Sequence, residues 1–283
     1  MMLKPWLSPI ALAAALGLLL TASAGAEAVP TIQTTRPGCC GQADADIARW
    51  HQNADRLYSQ FKPVEAVHEL EKILALDERN FQALIKMARA HVDIGDQIAE
   101  DSANANERRL KQYAIAEDYA RKAVRMDPNS TWGHFWIAAA LGDTAMISPI
   151  AKQLELAGEI RAEVEKALAL DPKNGLAYHV YGVWHRKIAE IGGASRVLAS
   201  VFYGKSVPTG TLEKSIEYLK RAVDLNPAVI VSRLELARSY IAKEEWEPAR
   251  SLLGSIPDLP IQFSDDAKHK QKAKQLLAEI KDR

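Results

Sequence analysis

The sequence predicts an all-α fold, a stack of about five helical hairpins closed by a C-terminal helix. Two observations carry this. The first is a phrase that occurs four times: Lys72-Ile-Leu-Ala-Leu-Asp77-Glu78, Lys122-Ala-Val-Arg-Met-Asp127-Pro128, Lys166-Ala-Leu-Ala-Leu-Asp171-Pro172 and Arg221-Ala-Val-Asp-Leu-Asn226-Pro227. Each is a basic residue and an apolar helix end, closed in three copies by Asp or Asn before Pro. Proline cannot continue a helix and restricts the residue before it, so each phrase marks a helix stop and a tight turn. The second observation is that small residues return at fixed places in the amphipathic runs between these turns.

The elements follow in order. The first hairpin spans about 47–80, with Trp50 and Ala54 in its first helix and Ala66 and Ile73 in its second. The next, about 81–130, has Ala88, Ala116 and Ala123; the third, about 131–174, has Ala138, Ile160 and Ala167. The fourth, about 175–229, has Gly182, Ser215 and Ala222. The fifth, about 230–261, has Ala237, Tyr240, Ala249 and Ile256. A final helix starts near Ser264 and caps the stack, as solenoids require. This arrangement resembles the tetratricopeptide repeat, a hairpin of 34 residues that stacks into a right-handed superhelix. The marker acids lie 50, 44 and 55 residues apart. The middle hairpins therefore carry roughly 16, 10 and 21 extra residues, expected between their two helices. The extras fall at Ile98–Tyr113, near Asp143–Gln153 and at Gly192–Gly210. Ser148 is expected to cap the helix after the second and Thr211 the helix after the third.

Residues 1–28 read as a signal peptide. An apolar run from Ile10 to Leu20 is followed by small residues at Ala22–Ala26, the form of a peptidase site. This predicts an exported, periplasmic protein, or a membrane-anchored one if Trp6–Ala26 is retained. Residues 29–43 read as a flexible leader, 44–263 as the repeat domain and 264–283 as the capping helix. Cys39 and Cys40 are adjacent, so a bridge between them would be strained. They read as unpaired thiols in a mobile tail or, if oxidised, as paired with another chain. Lys and Arg total 36 against 36 Asp and Glu, which excludes a strongly basic nucleic-acid binder.

The fourth hairpin carries a family resemblance. Gly182-Val-Trp184 leads to Arg196-Val-Leu-Ala-Ser-Val-Phe202-Tyr-Gly204-Lys205-Ser-Val-Pro208, then Thr211-Leu-Glu213 and Leu225-Asn-Pro227. This resembles the regulator of microtubule dynamics family, over about residues 110–250. The resemblance implies a noncatalytic protein that acts through protein contacts, with Gly182, Trp184 and Pro208 in structural roles.

Chemistry-bearing patterns are sparse. Gly204-Lys205-Ser206 lacks the earlier glycine of a phosphate loop, since Ala199 holds that place. No His-x-x-x-His pair, Gly-x-Ser-x-Gly elbow or Cys/His arrangement occurs. Neither cofactor nor metal is expected, and the chain reads as no enzyme. What remains is a concave groove lined by the first helices. Helical spacing points Arg89, Trp132, Phe135, His179, Arg186 and Arg238 into it. Guanidinium forks suit carboxylates, and the two aromatics offer an apolar anchor. The sequence thus predicts a repeat adaptor for a protein or peptide partner, with an acidic segment or C-terminal carboxylate. The alternative is a carrier of an apolar ligand or lipid in the solenoid interior, suggested by the apolar segment 197–203. Packing of the aromatics under the insertions, with the arginines paired to local Glu, stays open beside the groove reading.

Overall fold

The structure, a computed structural model, describes residues 39–191 and 208–283. Eleven helices make up the described part. They are α1 (Cys39–Ser59), α2 (Pro63–Leu76), α3 (Phe81–Gln97), α4 (Ala105–Met126), α5 (Thr131–Met146) and α6 (Ile150–Leu170). Then come α7 (Gly175–Glu190), α8 (Leu212–Leu225), α9 (Ile230–Ala242), α10 (Trp246–Ser255) and α11 (Asp266–Glu279). They pair as five hairpins, the first through the buried cluster that joins Ala54 and Tyr58 of α1 to Ala66 and Leu70 of α2, and α11 packs on α9 and α10 at the end of the stack. The first helices α3, α5, α7 and α9 also touch one another in sequence, so they form one continuous row.

The recurring phrase works through its acid. Asp77, Asp127 and Asp171 each accept the backbone N–H two residues on, at 3.1, 3.0 and 2.9 Å. This bends the chain so that the third residue after the acid lands on the next helix start. There Asn80, Ser130 and Asn174 accept the N–H groups of Ala83, Gly133 and Ala177, each at 3.0 Å. One four-residue stretch therefore ends one helix and caps the next. The fourth copy, Asn226 to Val229, has an apolar residue at the cap and no side-chain bond there.

The small-residue places are where the helices cross. Ala54, Ala66, Ala88, Ala116, Ala123, Ala138, Ala167, Ala222, Ala237 and Ala249 are all wholly buried. Gly182 shows why size matters: a Cβ there would lie 2.5 Å from Leu219 Cγ and 3.1 Å from the Leu219 backbone nitrogen. Trp184 is buried beside it and donates its indole N–H to Ala157 O at 2.9 Å. Pro208 is half-buried, two residues before Gly210, where a Cβ would come within 2.5 Å of His185 O.

Three expectations need correction. The extra residues of the second and third hairpins do not form long connections. They lengthen the helices instead, so α4 has 22 residues and α6 has 21, against 14 in α2 and α8. Glu107–Gln112 are strong helix formers, and that propensity outweighs the polar look of the segment. Ser148 does not cap α6; its hydroxyl turns back to Thr144 O at 2.7 Å. Helix α1 starts at Cys39, inside the segment expected to be a leader. The third insertion lies largely outside the described residues, as does residues 1–28.

Thr211 does cap α8, accepting Lys214 N–H at 3.2 Å. Thr211→Ala is expected to lower stability by about 1 kcal/mol, with Thr211→Ser close to wild type. Urea denaturation measures both. An unchanged midpoint for the alanine variant would mean the helix start does not depend on this hydroxyl.

Candidate functional site

Two of the sequence-nominated residues, Arg186 and Arg238, meet on one carboxylate. Glu235 on α9 is 6% exposed and accepts from Arg186 of α7 and from Arg238 one turn along its own helix. Arg186 is 4% exposed and also donates to Glu190 at 2.9 Å. Burial pushes the Glu235 carboxyl up, but Arg186 and Arg238 overcome this and hold it below the ordinary range. His179 lies on the same helix as Arg186 and pairs with Ser232 at 3.2 Å. Burial lowers its pKa to about 4, with the positive charges of His269 and Arg186 adding to the effect. The carboxylate and two guanidiniums thus form one ion network spanning two first helices, with the His179–Ser232 pair bridging the same two helices.

Arg89 stands apart on α3. Its guanidinium lies 4.4 Å from the Tyr58 ring centre, and its Nε is 3.6 Å from Asp93. Asp96 is one turn further on and accepts the Tyr113 hydroxyl at 2.8 Å. The Asp93 side chain keeps 23% of its surface, yet the surrounding helices displace bulk water. Burial, with Asp96 and Asp265 beside it, raises its pKa to about 7 despite Arg89. Burial and Asp265 raise Asp96 to about 6. Asp143 on α5 is pushed well above the carboxylate range by burial, with Asp96, Asp265 and Asp93 adding to it.

The aromatic pair goes elsewhere. Phe135 is buried in the main core between Trp132 and Trp136, 5.7 and 4.7 Å away between ring centres. Trp132 is half-buried and packs against the same core. Phe135 is therefore a core residue and does not present an anchor to a partner. The three arginines also depart from the expectation. Each already faces a carboxylate of this chain, so none offers an unspent positive charge.

Sequence reasoning missed Glu235, Asp93, Asp96, Asp143 and the segment entering α11. Part of this was within reach. Arg89 and Asp93, and Arg186 and Glu190, are spaced i,i+4 and share a helix face. Glu235 and Arg238 are likewise i,i+3 on α9, whereas nothing local marks Asp96, Asp143 or the placement of the segment entering α11. Gln262, Phe263 and Ser264 line a small cavity with Tyr58, Arg89, Asp93 and Gln97, from the first two hairpins. Lys268 donates its ammonium to Asp96 O at 3.1 Å, across 172 residues of sequence. The last helix thus does more than cap the stack.

Asp265, Asp266 and His269 bring possible metal-ligand atoms within 4.8 Å of one another. The acids address opposite ring nitrogens, Asp265 at Nε2 (3.4 Å) and Asp266 at Nδ1 (3.9 Å). Burial opposes a charged ring, but the two acids outweigh it and raise the His269 pKa. The arrangement suits an imidazolium held between two carboxylates. The apolar segment 197–203, on which the carrier alternative rests, and Gly204-Lys205-Ser206 lie outside the described residues.

The family described as Regulator of microtubule dynamics protein 1-3 matches residues 50–281, which is most of the sequence and nearly all of the helical stack. The chain belongs to this family. Its relatives include Regulator of microtubule dynamics protein 1 of Caenorhabditis elegans, 27% identical over 224 residues that cover 79% of this chain and 96% of that protein. The Bos taurus protein of the same name is 26% identical, over 82% of this chain and 71% of its own length. Among solved structures, a thermophilic tetratricopeptide protein of Thermus thermophilus aligns with a TM-score of 0.53 at 13% identity. It covers 84% of this chain and 98% of that one, and it supports the fold alone. Family and fold together describe a member of this family built as a helical repeat scaffold.

The expectation of an exported, periplasmic protein is overturned by these relatives. They belong to animals, whose cells have no periplasm. A short apolar run followed by small residues is a pattern of composition, and it does not name a compartment. Among the described residues, no helix is long and apolar enough to cross a membrane.

Proposed function

We propose that the chain is a noncatalytic repeat scaffold that binds a segment of a protein partner on the row formed by its first helices. One observation carries this reading: that row already has polypeptide laid against it. The residues entering α11 meet Tyr58, Arg89, Asp93 and Gln97, and Lys268 in the first turn of α11 hydrogen-bonds to α3. A surface that accepts a segment of its own chain has the width and the polar groups to accept a partner's. The relatives' name, regulator of microtubule dynamics, agrees with a protein that acts through protein contacts. The ion network of Arg186, Glu235 and Arg238 lies on the same row. Arg238 is the member open enough for a partner to reach, with 30% of its side chain exposed.

The test compares two surface variants of the full chain as bait in cell extract. Arg238→Ala lies on a first helix; Lys122→Ala lies on the second helix of another hairpin, paired to Asp118. A protein captured by wild type and by Lys122→Ala, but reduced with Arg238→Ala, supports the reading. Equal capture by all three would overturn the use of this face.

A further inference from the structure

Helix α11 carries positive charge that pairs with no carboxylate among the described residues. Between Asp266 and Glu279 it holds Lys268, Lys270, Lys272 and Lys274 and no acidic residue, in a chain with 36 basic and 36 acidic residues in all. Among the described residues, eight lysines outside this helix pair with a carboxylate, six of them with one three or four residues away. The ion pairs of α11 are instead those of His269 with Asp265 and Asp266. These two acids are thereby engaged, and the buried Asp266 also accepts the N–H groups of Gln262 and Phe263 at 2.7 and 2.8 Å. Lys268 donates to Asp96 O at 3.1 Å and Lys270 to Pro257 O at 2.8 Å. Those acceptors are neutral carbonyls, which orient the ammonium groups and leave their charge. Lys272 and Lys274 are exposed.

The arrangement costs the helix locally. Lys268 and Lys272 are spaced i,i+4, and so are Lys270 and Lys274; like charges at that spacing repel. Lys268 also lies in the first turn, the end at which the helix dipole disfavours a cation. Sequences break local rules of this kind chiefly at functional sites. The exposed ridge between the two lysine pairs is formed by Ala267, Gln271, Gln275 and Ala278, while Leu276 and Leu277 pack against the core of the last hairpin. The ridge therefore has no large apolar side chain to bury in lipid, as a helix lying in a membrane interface has. Ammonium groups one helical turn apart, about 6 Å along the axis, match carboxylates on alternate residues of an extended chain, about 6–7 Å apart.

We propose that the outward face of α11 is a docking site for an acidic segment of another protein, rich in glutamate or aspartate. The proposal does not rest on the row of first helices binding a partner, since Lys272 and Lys274 lie outside that row. A carboxylate brought to each lysine pair relieves the repulsion within it. Binding of this kind is electrostatic and weakens as salt rises, because exposed charges are screened.

The probe is a fluorescently labelled oligoglutamate peptide, titrated against the full chain at low and at physiological salt. Lys272→Gln combined with Lys274→Gln removes one ammonium from each pair. Lys111→Gln combined with Lys173→Gln removes the same charge from two exposed lysines elsewhere in the stack. Wild type and the Lys111/Lys173 variant should bind oligoglutamate equally. The α11 variant should bind it about tenfold more weakly at low salt, as expected from the loss of two exposed ion pairs. It should melt no lower than wild type, since the charges removed repel their neighbours. No oligoglutamate binding by wild type, or an equal loss in both variants, would overturn the proposal. So would a fall in the melting temperature of the α11 variant, which would give these lysines to the fold. Vesicles of phosphatidylserine and phosphatidylcholine that sediment wild type but not the α11 variant, without oligoglutamate binding, would make the face a membrane contact and overturn the acidic protein segment. The capture experiment with Arg238→Ala reads the row of first helices, so the two readings fail separately.

Discussion

Glu235→Ala is expected to lower the unfolding free energy by about 3–5 kcal/mol, because it removes one side of a buried ion network and leaves the other side in place. Arg186 is almost fully enclosed, and its Nε already lacks an acceptor. Without Glu235 it would keep only Glu190, at 2.9 Å. A guanidinium in that position can neither lose its proton nor reach water, so the full cost of burying it appears in stability. For a domain of this size the change corresponds to a fall of roughly 6–20 °C in melting temperature. Arg238→Ala removes the exposed arm of the same network and should cost about 1 kcal/mol or less. The contrast between the two variants is the informative measurement. Denaturant melts showing Glu235→Ala within about 0.5 kcal/mol of wild type would mean that α7 and α9 do not meet through this carboxylate.

Gly182→Leu is the second large effect, at about 3 kcal/mol. The first atom added at residue 182 lies 2.5 Å from Leu219 Cγ. The Leu219 side chain could rotate aside, but the backbone nitrogen of Leu219, at 3.1 Å from that atom, cannot move without moving α8. Gly182→Ala should show the same conflict in smaller measure. Combined with Leu219→Ala, which empties a wholly buried position, it should lose part of its cost, since the new methyl then has room. The double variant should therefore be more stable than the sum of the single effects predicts, as expected of residues in contact. Strict additivity would place these two helices further apart than the packing described above.

The helices, their order and their crossings were legible because repeat proteins encode them locally. Asp77, Asp127 and Asp171 stop a helix and shape the turn through bonds reaching two to four residues along the chain. The small side chains at residues 54, 88, 138, 182 and 237 answer a steric demand that every hairpin repeats. Such signals survive without knowledge of distant contacts. The insertions were read less well, since polar composition is compatible with both a loop and an exposed helix; α4 and α6 took the second course.

The candidate site depended on the tertiary structure for a different reason. A charge on a helix face says nothing about what stands opposite it. Arg186 read as part of a basic stripe until the fold set Glu235, 49 residues further along the chain, against it. Phe135 read as an anchor until packing placed it inside the core. The segment entering α11 carries only the marks of a helix start, two aspartates in the first turn. That it lies against α3, with Lys268 on Asp96, follows from where the stack brings its last hairpin. Local bonding thus determined the repeat scaffold, and long-range packing decided its electrostatics, because Coulomb interactions depend on distance in space and not on distance along the chain.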